Sequence, residues 1–158
     1  MKPIEIRLDL NSVKPLLDHI GPILDSLSDE LVVPGNLPGD DDLLENFWEE
    51  GLLESQRGEM DTIKALFGES FRETGRAVMD IDQVDTVIKA CSAVRLKLRE
   101  TSLKDIPDSD LEQGQIELED LDSDQRIGYG AYMLFASLQE LAITQMEHGD
   151  LDDQDGAN

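Results

Sequence analysis

The strongest constraint on this chain is the period of its apolar residues. Val13, Leu16, Leu17, Ile20, Ile23, Leu24 and Leu27 fall three and four apart, which puts them on one face of an α-helix. Leu44, Trp48, Leu52, Met60, Ile63 and Phe67 mark a long second helix. Val84, Val87, Ile88, Cys91, Val94 and Leu98 mark a third, through about residue 101. Ile127, Ala131, Leu134, Leu138 and Leu141, flanked by Met133 and Phe135, define a last helix over 123–146. Such stripes lose their exposure to water only against each other. The expected fold is therefore mainly α, a single-domain bundle of four to five helices over residues 1–146. The segment 147–158 is acidic and without periodicity, and is expected to be a disordered tail.

Two stretches have a period of two. Ile4, Ile6, Leu8 and Leu10 alternate with Glu5, Arg7 and Asp9, and GQIELEDL at 114–121 alternates again. The two are expected to pair as a small two-stranded β-sheet, stable only if helices cover one face. Ser12 is placed to cap the first helix, which Gly21-Pro22 should kink or split. LVVPGNLPGDDD at 31–42 reads as a loop and GESFRETGR at 68–76 as irregular. VMDIDQ reads as a short extended link, with Asp82 as the next cap, and Pro107 as a break before a short helical turn. Gly51 and Gly58, seven apart on the second helix, suggest either a close helix crossing or a break near 58. Phe47 and Trp48 are expected in the core.

Charge limits the function classes. The chain has 36 acidic and 13 basic residues in 158, a net charge of −23. Such a surface repels nucleic acid and anionic membranes, because it offers phosphates no counterion release. The same acidity also serves solubility, or an acidic interaction surface. The start MKPIEIRLDL lacks the apolar core of a signal peptide, and no run of about 18 apolar residues occurs. A cytoplasmic protein without a membrane span is expected. Cys91 is the only cysteine, so neither an intrachain disulfide nor a thiolate metal cluster can form. Its aliphatic neighbours predict a buried, inert thiol.

The most site-like stretch is DLDSDQRIGYGA at 120–131. Asp120, Asp122 and Asp124 fit the first three ligand positions of an EF-hand loop, but Gln125 stands where the turn glycine belongs and Ala131 where the closing glutamate belongs. Asp122 as N-cap with Gln125 reaching back explains the same residues as a capping box. Gly128-Tyr-Gly130 is half of a GxGxxG fingerprint, with Met133 in the third place, so a dinucleotide site is rejected. The two histidines, His19 and His148, do not follow a glutamate by three, which removes a di-metal carboxylate centre. A Ser-His-acid triad would have to use His19, and no serine stands in a G-x-S-x-G context. No cofactor, metal or catalytic residue is expected.

One feature stands against the average charge. Residues 83–104 carry Lys89, Arg95, Lys97, Arg99 and Lys104 against Asp85 and Glu100, while 105–124 carry nine acids and no base. Either the two segments fold together, or the basic helix orients a partner. Arg95, Lys97 and Arg99 are the candidate partner-binding residues.

The stretch SAVRLKLRETSL around Arg95, with the late aromatic-leucine run YMLFASLQEL, resembles an actinobacterial family of uncharacterised helical domains often encoded beside the ClpS protease adaptor. The resemblance spans about residues 4–146. Glu100 and the acid-rich 105–124 depart from the family pattern. The family has no catalytic residues to carry over, and the resemblance implies an accessory domain near regulated proteolysis. The function expected is a non-enzymatic protein-interaction or regulatory domain, bound to a protein partner or to itself. The alternatives are a small-molecule or divalent-cation-dependent enzyme using clustered carboxylates, and a structural homo-oligomer.

Overall fold

The computed structural model describes residues 3–31 and 42–155, the stretches 42–48 and 148–155 by backbone alone. The elements run β1 (Ile4–Arg7), α1 (Leu10–Asp29), α2 (Asp42–Leu66), α3 (Glu69–Thr74), β2 (Arg76–Met79), α4 (Val84–Glu100), α5 (Asp108–Gln113) and α6 (Ser123–Asp155), with single 3-10 turns at Ile81–Gln83 and Leu118–Asp120. The fold is mainly α with one two-stranded antiparallel sheet. Residues 32–41, most of the stretch expected to be a loop, and the side chains of Phe47, Trp48 and His148 lie outside the described residues.

α1 and α4 bury most of the faces their periods predict, and α2 does so only in its second half, where Met60 and Ile63 are buried while Leu52 is 39 % exposed. On α1, Val13, Leu17, Ile20, Ile23, Leu24 and Leu27 are buried, and the helix runs unbroken through Pro15 and Pro22. Each proline removes one backbone donor, a penalty of about 3 kcal/mol in a bare helix. Burial of the stripe on both sides of Pro22 outweighs it, so the expected split does not occur. Asp9, not Ser12, is the N-cap: its carbonyl accepts from the N–H groups of Ser12 and Val13 at 3.1 and 3.0 Å. Ser12 sits inside the first turn and donates to the Asp9 carboxylate at 2.7 Å.

α2 is continuous past Gly51 and Gly58, and an added Cβ at either would meet nothing within 4 Å. Neither a crossing nor a break explains these glycines. Close approach occurs instead on α6. A Cβ at Gly128 would stand 2.5 Å from Ser102 Cβ, and one at Gly130 2.8 Å from Leu16 Cδ2. The glycines of the site-like stretch thus admit neighbouring segments. Its aspartate is a cap: Gln125 N–H donates to Asp122 Oδ1 at 2.8 Å and Asp122 N–H to Gln125 Oε1 at 3.0 Å. A second capping box joins Asp80 and Gln83, so Asp80 rather than Asp82 takes that role.

The strand partner differs from expectation. β1 pairs with β2, in the register Ile4↔Met79, Glu5↔Val78, Ile6↔Ala77 and Arg7↔Arg76. β2 buries Ala77 and Met79 and exposes Arg76 and Val78, so it has the apolar face a covered sheet needs. The stretch at 114–121 lacks one: Ile116 is half-buried, Leu118 is 54 % exposed, and the chain forms a 3-10 turn there. Glu5 bridges the sheet, accepting from Arg7 Nε and Arg76 Nη2, both at 2.7 Å. The Arg7 hydrogen bond first, then Arg76, holds its carboxyl below the usual range.

The segment read as irregular at 68–76 contains α3, which inserts Phe71 into the core. Gly75 ends it with φ 74°, and an added Cβ would lie 2.7 Å from the Leu8 carbonyl oxygen, so only glycine suits the turn into β2. Phe67 packs edge-on to Phe71 and Phe135, with centroids 5.1 and 6.2 Å apart. Met60, Ile63, Val87, Val94, Leu98 and Leu103 complete this centre. On α6 the buried face is Ala131, Tyr132, Phe135, Leu138, Gln139 and Ala142, with Ile127, Leu134 and Leu141 on its flank. The helix continues through Asp155, past residue 146 and into the segment expected to be a tail.

Candidate functional site

α4 packs against α6 over much of its length. Arg95 and Arg99 are one turn apart and share a side of α4, whereas Lys97, two residues from either, points elsewhere. The three candidates are therefore divided. Arg95 and Arg99 lie over α6, in a pocket of about 250 Å³ with Ser92, Leu96 and Tyr132. Lys97 lines a separate groove of about 480 Å³ with Asp18, His19, Pro22, Thr101 and Ser102.

Tyr132 organises the arginine pair. Its ring and hydroxyl are buried, 2 % exposed, with Arg95 Cζ 4.7 Å and Arg99 Cζ 5.5 Å from the ring centroid. The phenol oxygen accepts from Arg95 Nη2 at 2.9 Å and from Arg99 Nη2 at 2.8 Å. Arg95 Nη1 also donates to Gln139 Oε1 at 2.6 Å. Gln139 Nε2 passes the chain on, donating to the Ile88 carbonyl at 3.1 Å and to Ser92 Oγ at 2.6 Å. The ring quadrupole and two shared lone pairs thus hold two like charges side by side.

Among the described residues no carboxylate hydrogen-bonds this pair, despite the acidity of the chain. Among the described residues, the acid nearest Arg99 is Glu112, at 3.8 Å and 66 % exposed, and Arg95 has no ion pair. The Nε–H groups of both arginines are buried and reach no acceptor among the described residues. Among the described residues the basic helix and the acidic segment after it share one ion pair, Arg99 to Glu112, while Lys89 pairs with Asp85 on its own helix at 3.0 Å.

Tyr132, Gln139 and Ser92 were not singled out from sequence. The only signal for the first two is that polar residues seven apart fall on the buried face of α6, visible once its orientation is known. Cys91 is buried as expected, and burial pushes its thiol up to about 12. In the Lys97 groove, the fold brings a serine to His19: Ser102 Oγ lies 2.7 Å from Nε2. Asp124 Oδ1 stands 3.9 Å from His19 Nδ1, beyond hydrogen-bond range, on a side chain 72 % exposed. Among the described residues, no three His, Cys, Asp or Glu gather closely enough to hold a metal ion. No helix among them is long and apolar enough to cross a membrane. Comparison with family models, with curated proteins and with solved structures gives no match.

Proposed function

We propose that this chain is a non-enzymatic protein-interaction module whose contact surface is the α4 face around Arg95, Leu96 and Arg99. The observation that carries the reading is an arginine pair with no hydrogen-bonded carboxylate among the described residues, in a chain of net charge −23. Leu96, 38 % exposed in the same pocket, adds apolar area beside the charges, the mixture that anchors interfaces. A role beside regulated proteolysis, implied by the resemblance of SAVRLKLRETSL, is consistent with such a module. The test is retention of proteins from the native cytosol on immobilised wild type and on Leu96→Glu/Arg99→Glu, at low and high salt, against an equally acidic unrelated protein. A protein held at both salts by wild type alone supports the reading. Equal retention by the variant moves the surface elsewhere, and nothing beyond the control ends the module.

An enzyme reading other than the clustered-carboxylate one has one observation in its favour, the 2.7 Å contact between Ser102 and His19 beside the Lys97 groove. In that reading His19 takes the Ser102 proton as the hydroxyl attacks an acyl carbon. Ser102 follows the C-terminal end of α4, however, where helix carbonyls disfavour a developing oxyanion. Labelling by a serine-directed fluorophosphonate, lost in His19→Ala, would establish it; no labelling of the wild type would dismiss it.

A further inference from the structure

We infer that the pocket of Ser92, Leu96, Arg99 and Tyr132 is a binding site for an oxyanion, a carboxylate or a phosphate group. The inference rests on the proposed contact surface and names the chemistry it recognises. It follows from an inventory of hydrogen-bonding capacity. Both lone pairs of the Tyr132 oxygen are taken, one by each arginine, so its own O–H hydrogen remains to be donated. Ser92 Oγ accepts from Gln139, and its hydrogen has no acceptor among the described residues. Arg99 places one Nη on Tyr132 and has no closer acid than Glu112 at 3.8 Å. Arginine carries five donors and no acceptor. The polar lining therefore offers donors, and its acceptors are spent.

The electrostatics agree. The buried Nε–H groups of Arg95 and Arg99 lack acceptors among the described residues, and two positive charges sit over one ring. A neutral ligand would leave that charge unbalanced, and a cation would worsen it. An anion whose oxygens accept from Arg99, Tyr132 and Ser92 meets the donors and the charge together. Leu96 at the edge suits the aliphatic stem of an acidic or phosphorylated side chain. Glu112 is near enough to compete for Arg99 and too exposed and distant to satisfy it.

The test is titration of the full chain with inorganic phosphate, with succinate and with chloride at constant ionic strength, followed by the ¹H–¹⁵N resonances of the arginine Nε–H groups. Saturable shifts at Arg95 and Arg99 are expected with phosphate or succinate, and the stronger of the two identifies which source the site prefers. Replacing Arg99 by Gln removes charge-assisted bonds and should weaken binding by about tenfold or more. Glu112→Gln, on an exposed side chain, should strengthen it, a response that a merely structural arginine pair would not produce. Shifts of the same size for all three anions, or no effect of Glu112→Gln on saturable binding, would overturn the inference. Anion binding without any retained protein would leave this site standing and remove the interaction module. A retained protein with no anion response would do the reverse.

Discussion

The packing of α6 on the turn after α4 makes a prediction opposite to helix propensity. Gly58 and Gly128 both lie inside helices, so alanine at either gains about 0.5–1 kcal/mol from propensity alone. At Gly58 nothing lies within 4 Å of the new Cβ, and the gain is kept. At Gly128 the new Cβ would stand 2.5 Å from Ser102 Cβ, against an optimum of about 3.5–4.0 Å between carbons. Two stiff segments must separate by about 1 Å, since neither atom is the end of a flexible side chain. Overpacking of this kind costs about 1–3 kcal/mol, which exceeds the propensity gain. The two alanine variants should therefore differ by about 2 kcal/mol, or about 4–8 °C in Tm for a chain of this length. Urea and thermal unfolding of both measure it directly. Ser102→Gly removes the opposing Cβ, so the double variant with Gly128→Ala should lose less than the sum of the single changes. A Gly128→Ala chain as stable as Gly58→Ala, or additivity in the double variant, would refute the close packing of α6 on the turn after α4.

Three further expectations follow. Asp122→Ala should cost about 0.5–2 kcal/mol by removing one half of the capping box, and millimolar calcium should leave the wild-type Tm unchanged. Cys91, held near 12 by burial against an ordinary 9.0, should react with a thiol reagent only as the protein unfolds. Because the unfolded thiol ionises first, the unfolded state binds fewer protons between those values. Stability should fall there as pH rises, by at most about 1.4 kcal/mol per unit, a component absent from Cys91→Ala. Gln56→Leu should cost about 1–3 kcal/mol, because Gln56 Nε2 donates to the Leu27 and Glu30 carbonyls at the end of α1, at 2.5 and 2.7 Å.

Where sequence reading succeeded, the signal was local. Asp122 and Gln125 are three apart and need nothing else to form their box. The stripe of α1 survives two prolines because six buried residues outweigh them. Where it failed, a distant segment decided. IEIRLDL alternates equally well for either strand partner, and the choice of RAVM over QIEL depends on which brings an apolar face to the helices. α3, six residues long, is too short for its period to declare itself, and Gly75 ends it because the Leu8 carbonyl passes close by.

The candidate site divides the same way. Arg95 and Arg99 were visible as bases one turn apart on the basic helix, and a helix's period separates Lys97 from them. Fold class, the positions of the four long helices, the buried thiol and the net charge follow from order and composition, because hydrophobic period and formal charge are properties of the chain itself. Only the tertiary structure supplied Tyr132, Gln139 and Ser92 as the partners of those arginines, and Ser102 as the neighbour of His19. These meetings join residues 33 to 83 positions apart. They depend on the rotation of α6 about its axis and on glycines at 128 and 130, quantities that no local pattern encodes.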